Sequence, residues 1–336
     1  MKVYSIIVAG GKQFRGFSGG IKQSSNASME VIFGDSKTKK LPNWPDPLSG
    51  VSCSMIKHDD SILMSRGENF KAFLKLDQLE NGSWKEHKTF NKKRSFQTAV
   101  STETATFVFG GIRSPKTYEY LPKNSTKWLL GSSEIPGGFD DGYPIAVKSE
   151  QEILLIGGYT TEERILSFDV NKHTFEELPI KLNIGRHGHR CEVIPYTNKI
   201  IVTGGKILDN TGNLAYTNST EIIDIENGSV SMASPMNSER SEHGIGILTI
   251  DDENVVAVFG GYDGDYSLRS VELYNGYWET TKMKLSEGKR GFGFLSVRLG
   301  ALRDDCTSSN SYTQLCQKHK NAYVKRLDEL GVPIGW

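Results

Sequence analysis

The sequence predicts an all-β fold, a six-bladed propeller closed by pairing of its N- and C-terminal strands and followed by a short helical tail. Three observations predict it. First, an apolar run stopped by two glycines recurs at residues 6–11 (IIVAGG), 106–111 (TFVFGG), 154–158 (LLIGG), 200–205 (IIVTGG) and 256–261 (VAVFGG), with a worn copy at 62–67 (ILMSRG) that keeps one glycine. Second, the first-glycine slots fall at 10, 66, 110, 157, 204 and 260, so the spacings are 56, 44, 47, 47 and 56 residues. A self-similar period of that size, made of short strands and glycine turns, marks a propeller or a related array. Third, residues 3–9 have no strand before them, and residues 290–297 (RGFGFLSV) have the form of an opening strand with no doublet after it. Joining the two leaves no frayed edge.

Each unit has a physical reason. Four or five apolar, β-prone residues in a row make a strand buried on both faces, which is why strict alternation is missing. The glycines then permit a tight exit at positive φ and close approach of neighbouring backbone. A loop, a third strand and a last strand follow. Repeat 1 gives 29–33 and then Trp44, repeat 2 gives 73–77 and Trp84, and repeat 3 gives 118–120 and Trp128. Repeat 4 gives 165–169 with Phe175 in the tryptophan slot, repeat 5 gives 221–224 with a polar last strand around Val230, and repeat 6 gives 271–274 and Trp278. The tryptophans are expected to pack one blade on the next rather than to stack on a ligand. The propeller takes residues 1–298. Beyond it, residues 299–336 form a tail in which 312–330 reads as a helix, with Tyr312, Leu315, Tyr323, Leu327 and Leu330 near one stripe and a stop at Gly331 and Pro333.

The doublet, the acidic–aromatic pair after it, the tryptophan near the repeat end and an arginine opening the next repeat together resemble the kelch repeat, over about residues 1–298. The resemblance implies a propeller and says little about function. The lost doublet of repeat 2 and the missing tryptophans of repeats 4 and 5 depart from it.

The opening arginines are Arg94, Arg186, Arg240 and Arg290, in repeats 3, 5, 6 and 1. The same repeats carry glutamate in the middle of the third strand, at Glu119, Glu221, Glu272 and Glu30. Repeats 2 and 4 lack both and carry Leu74 and Leu166 in the acidic slot. A buried charge must be paired, so joint presence and joint loss predict internal ion pairs rather than an arginine clamp for an acidic ligand. Replacing both members by apolar residues should then be far less damaging than replacing one.

Lysine plus arginine equals aspartate plus glutamate, at 40 each. That removes the electrostatic reason to expect nucleic acid or an anionic membrane as partner. No apolar run approaches the ~20 residues of a membrane-crossing helix. Cys53 and Cys191 belong to opening strands across the ring, too far apart to pair, whereas Cys306 and Cys316 could pair. Five Asn-x-Ser/Thr sequons, at Asn26, Asn81, Asn124, Asn218 and Asn227, suit either glycosylation or turn chemistry. The chain is expected in the cytoplasm if Met1 is the true start, and outside the cell if an upstream signal precedes it.

His187, His189 and Cys191 alternate along one strand, but His189 follows Arg186 by the same three residues that separate His243 from Arg240. That periodicity makes both histidines framework positions, so no metal and no cofactor is expected. Galactose-oxidase-like, nitrile-specifier-like and sialidase-like propellers need metal sets or boxes that the seven histidines and the loops do not supply, and no nucleophile or phosphate-loop motif appears. The function expected is therefore a non-catalytic, monomeric protein-binding scaffold. A secreted carbohydrate-binding or galactose-oxidase-like carbohydrate-modifying propeller is the alternative. Its binding face is the set of loops after the doublets, which vary most between repeats, and the residues singled out are Phe14, Arg15, Phe17, Asp263, Asp265 and Tyr266.

Overall fold

The computed structural model describes residues 4–15, 22–25, 28–34, 38–41, 43, 53–66, 69–75, 84–85, 90–138, 145–158 and 163–298. Each apolar run becomes the second strand of an antiparallel sheet, and each sheet except the first is built from its own stretch of chain. Sheet 1 holds β1 (Tyr4–Ala9), β4 (Met29–Ile32) and β5 (Thr38–Leu41), with a separate hairpin of β2 (Lys12–Arg15) and β3 (Lys22–Ser25) between β1 and β4. Sheet 2 is β6 (Cys53–His58), β7 (Ser61–Arg66) and β8 (Asn69–Lys75). Sheet 3 is β9 (Thr98–Ser101), β10 (Ala105–Phe109), β11 (Tyr118–Pro122) and β12 (Leu129–Leu130). Sheet 4 is β13 (Ile145–Ser149), β14 (Glu152–Ile156), β15 (Ile165–Asp169) and β16 (Thr174–Glu177). Sheet 5 is β17 (Arg190–Val193), β18 (Lys199–Thr203), β21 (Thr220–Asp224) and β22 (Ser229–Ala233), with a hairpin of β19 (Lys206–Leu208) and β20 (Leu214–Tyr216) set after its doublet. Sheet 6 is β23 (Gly244–Ile250), β24 (Glu253–Phe259), β25 (Ser270–Tyr274) and β26 (Trp278–Lys284).

The last strand, β27 (Gly293–Arg298), returns to sheet 1 and pairs antiparallel with β1, Ile7 facing Leu295 and Ser5 facing Val297. The first strands of successive sheets touch in order, β27 to β6, β9, β13, β17, β23 and back to β27. Apolar clusters fill the spaces between neighbours. Ile7, Val31, Met55 and Ile62 join sheets 1 and 2, Phe107, Phe109, Tyr118 and Phe168 join sheets 3 and 4, and Ile201, Ile222, Val256 and Phe259 join sheets 5 and 6. Trp128 is buried with Ile56 and Leu63 of sheet 2, and the Trp278 indole N–H donates to Thr220 Oγ1 of sheet 5 at 3.0 Å. Phe175, in the tryptophan slot of sheet 4, lies against Phe168, with ring centroids 4.7 Å apart.

The expectation of six blades needs correcting: the structure has five four-stranded blades, and sheet 2 contributes three strands among the described residues. Its repeat is also the worn one. Arg66 stands where the others have the first glycine, the register of β7 on β8 slips between Met64 and Ser65, and Ala72, not Leu74, faces Met64 in the slot that is acidic elsewhere. In sheet 4 that slot holds Leu166, facing Leu155 and buried. No helix among the described residues is long and apolar enough to cross a membrane. The expected tail helix at 312–330, Cys306 and Cys316, Trp44, Phe17, and the sequons at Asn26 and Asn81 lie outside the described residues.

Candidate functional site on the loop face

The loops after the doublets and the loops that open each sheet share one face, and buried ion pairs tie them together. Arg94 Nη2 lies 2.9 Å from Glu119 Oε1, Arg186 Nη2 2.7 Å from Glu221 Oε1, and Arg240 Nη2 2.6 Å from Glu272 Oε1, with all six side chains fully buried. In each case Nη1 donates to two carbonyls, that of the first doublet glycine and that of the residue two before the glutamate. These are Gly110 and Thr117, Gly204 and Ser219, and Gly260 and Ser270. One planar fork thus holds the doublet, the next strand and the opening loop at once. Burial pulls each guanidinium pKa down, opposed by the charge and hydrogen bond of its glutamate.

The second carboxylate oxygen is taken by a residue that the sequence reading missed. Asn91 donates through its backbone N–H (2.6 Å) and Nδ2 (2.8 Å) to Glu119 Oε2, and Asn183 does the same to Glu221 Oε2 (2.7 and 3.0 Å). The Asn237 N–H donates to Glu272 Oε2 at 2.6 Å. The signal was present as Asn-x-x-Arg before all three sheets.

The fourth expected pair, Arg290 with Glu30, is corrected. Lys289 Nζ meets Glu30 Oε1 at 3.2 Å in full burial, and Ser286 takes the asparagine's place, its N–H and Oγ each donating to Glu30 at 3.0 Å. The register follows backbone conformation. Two residues after each buried cation stands a residue at positive φ: Phe96 (58°), Gly188 (63°), Glu242 (53°) and Gly291 (60°). Aligning Gly291 with Gly188 puts Lys289, not Arg290, opposite Arg186. His189 and His243 occupy the next repeat position, where their Cβ atoms press on the second doublet glycines Gly205 and Gly261. Both are fully buried, and burial first, then neighbouring arginine charge, holds their pKa well below the ordinary value. Cys191 is buried and free, and no group of three or more metal-ligating side chains occurs among the described residues.

Displaced from the core, Arg290 stacks over Tyr262, 4.3 Å from the ring centroid, with Nε 4.0 Å from Glu242 Oε2. Lys206, at the foot of β19, reaches the same Glu242 at 3.4 Å and lies over the Tyr216 ring at 5.7 Å. Tyr216 meets Tyr262 edge to face at 5.4 Å. The floor between the β19–β20 hairpin and the loop of sheet 6 is therefore two tyrosines bracketed by two cations that share one carboxylate. Burial pushes both phenols' pKa upward.

The expected binding residues divide around this floor. Asp263 is a turn former, its Oδ1 accepting the N–H groups of Asp265 (2.9 Å) and Tyr266 (2.7 Å). That turn presents Asp265 and a Tyr266 ring that is 56% exposed. Phe14 and Arg15 lie in β2, facing Gln23 and Lys22 of β3, in a hairpin on sheet 1 at the other side of sheet 6. The sequence reading passed over Leu208 and Leu214, which pair across β19–β20 and are 56% and 57% exposed. Their signal was a hairpin one: two short apolar runs around Asp209-Asn-Thr-Gly212, where Asp209 Oδ1 accepts from Thr211 and Asn213 N–H.

No protein-family model matches the chain, and no curated protein matches it. A solved structure described as "Structure of YjhT" superposes with a TM-score of 0.60 at 11% identity, covering 80% of this chain and 98% of that one. The fold is a β-propeller.

Proposed function

We propose that this propeller is a non-catalytic scaffold that binds another protein through the loops after its doublets, with sheets 5 and 6 as the main contact. The supporting observation is the exposed, cross-strand pair Leu208 and Leu214 on the β19–β20 hairpin, whose Tyr216 forms the floor with Tyr262, together with the exposed Tyr266 on the neighbouring loop of sheet 6. Two large aliphatic side chains more than half exposed on a hairpin contribute little to the ring's own core, and exposed apolar surface of that kind marks an interaction site. We further read the chain as a kelch-type ring, and as a monomer. A carbohydrate-binding propeller is the second reading, favoured by the Tyr216 and Tyr262 rings, with Lys206 and Arg290 over them, and by the exposed Tyr266.

Affinity capture from the native source with the wild-type chain and with Leu208→Ala/Leu214→Ala separates these readings. The scaffold reading expects a protein retained by the wild type, reduced at least tenfold by the double variant, and rebinding at 1:1 from purified components. Glycan-array binding without such a protein would favour the carbohydrate reading, and stoichiometric copper or iron in the purified chain would overturn the absence of catalysis.

A further inference from the structure

We infer that the segment docking on sheets 5 and 6 is basic and carries at least one large apolar side chain. This rests on the scaffold reading above and adds the chemistry of the partner. The loops of these two sheets on the doublet face, up to the opening of β27, carry Asp209, Glu239, Glu242, Asp263, Asp265 and Glu287 against Lys181, Lys206, Arg269 and Arg290, once the buried pairs Arg186–Glu221, Arg240–Glu272 and Lys289–Glu30 are set aside as neutral. Two of those four cations are engaged locally, because Lys206 and Arg290 both face Glu242. Asp209, Glu239 and Asp265 are exposed on these loops, and Asp263 and Glu287 are part-exposed.

The opposite sector of the same face has the reverse sign. On sheet 3, Lys92, Lys93, Arg113 and Lys116 are exposed in the corresponding loops. The chain as a whole carries no net charge, so the acidic field at sheets 5 and 6 is a local feature rather than a reflection of an acidic protein. A field of that kind steers and orients a complementary segment. The apolar contact supplies the anchor: Leu208, Leu214 and Tyr266 are large apolar side chains exposed on the same loops as these carboxylates. An acidic partner would meet repulsion here, and a wholly polar basic one would leave the leucines in water.

The test uses the full chain and a displayed library of random twelve-residue peptides, followed by fluorescence anisotropy with the selected peptides. The expected result is enrichment of Lys or Arg together with Leu, Phe or Trp. Affinity should fall at least tenfold with Leu208→Ala/Leu214→Ala, and at least tenfold at low salt with Glu239→Lys/Asp265→Lys, and should weaken as salt is raised. All four positions are exposed, so the variants should keep the wild-type melting temperature and circular dichroism. Selection of acidic peptides, or of basic peptides indifferent to both variants, overturns the inference while leaving a protein-binding propeller. Self-association abolished by the leucine variant would reassign the surface to a second copy. Failure to select any peptide above background would count against the scaffold reading itself.

Discussion

Glu272 gathers five groups at one buried point: Arg240, the N–H groups of Asn237 and Ser238, and, through Arg240, the carbonyls of Gly260 and Ser270. Replacing it alone by leucine strands a buried guanidinium, and urea unfolding should show a loss of about 3–5 kcal/mol. The sequence suggested that replacing both partners would be nearly harmless, since repeats 2 and 4 do without them. The hydrogen bonds argue otherwise. Arg240→Met with Glu272→Leu also takes these partners from the Gly260 carbonyl and two N–H groups, while the Ser270 carbonyl keeps the Gly260 N–H, so the double variant should still lose about 2–4 kcal/mol. A second residue-scale effect lies at Glu192 on the innermost strand of sheet 5, whose pKa burial pushes up to about 7, partly offset by the Val193 N–H. Between the ordinary value of 4.5 and 7, the folded chain holds a proton that the unfolded chain has released, so stability falls as pH rises through that window. Glu192→Gln should flatten this slope and raise stability at pH 8 by about 1–3 kcal/mol, read as melting temperature against pH. His189 and His243 act on the other side. Their lowered pKa makes the unfolded chain the better proton acceptor below 6.5, and stability should fall as pH drops from there.

At the scale of the element, the doublet and the hairpin after it show why two glycines in one loop differ. A Cβ on Gly205 (φ 102°) would lie 2.7 Å from the His187 carbonyl oxygen and 2.8 Å from His189 Cβ, whereas Gly212 (φ 80°), at the turn of the β19–β20 hairpin, has no atom within 4 Å. Gly205→Ala should therefore cost about 3 kcal/mol or more, from strain and overlap together, and Gly212→Ala about 1 kcal/mol, from strain alone. Melting of the two variants side by side measures the difference, and equal losses would mean that the doublet's close packing is not what it contributes. The doublet was legible because five of the six sheets repeat it. The leucine-tipped hairpin was not, because it occurs once and a single short apolar run carries no periodicity.

For the whole molecule, closure decides stability. Each sheet covers its neighbours through a shared apolar cluster, and β27 supplies the strand that sheet 1 lacks at its inner side. Ending the chain at residue 292 removes the β27 partner of every β1 residue from Tyr4 to Ala9, leaves only the pairing with β4, and exposes the other β1 edge to other chains. The expected outcome is loss of cooperative unfolding with aggregation, seen by near-ultraviolet circular dichroism and light scattering. A soluble truncated chain that melts as the wild type does would show that closure is dispensable.

By itself the sequence determined the repeat, the strand at the heart of each sheet, the pairing of the first strand with the last, and three of the internal ion pairs. All of these are written several times over, and a pattern repeated in register can be read without coordinates. Tertiary structure decided what occurs once. It put Lys289 rather than Arg290 beneath Glu30, because a positive-φ residue two places on sets which side chain turns inward. It put Ala72 in the slot assigned to Leu74, because β7 slips against β8 where the doublet is worn. It also brought Lys206, Tyr216, Glu242, Tyr262 and Arg290 together from four separate loops. Their contacts depend on neighbouring sheets lying side by side, a spatial relation that residues far apart in the chain do not encode in any local pattern.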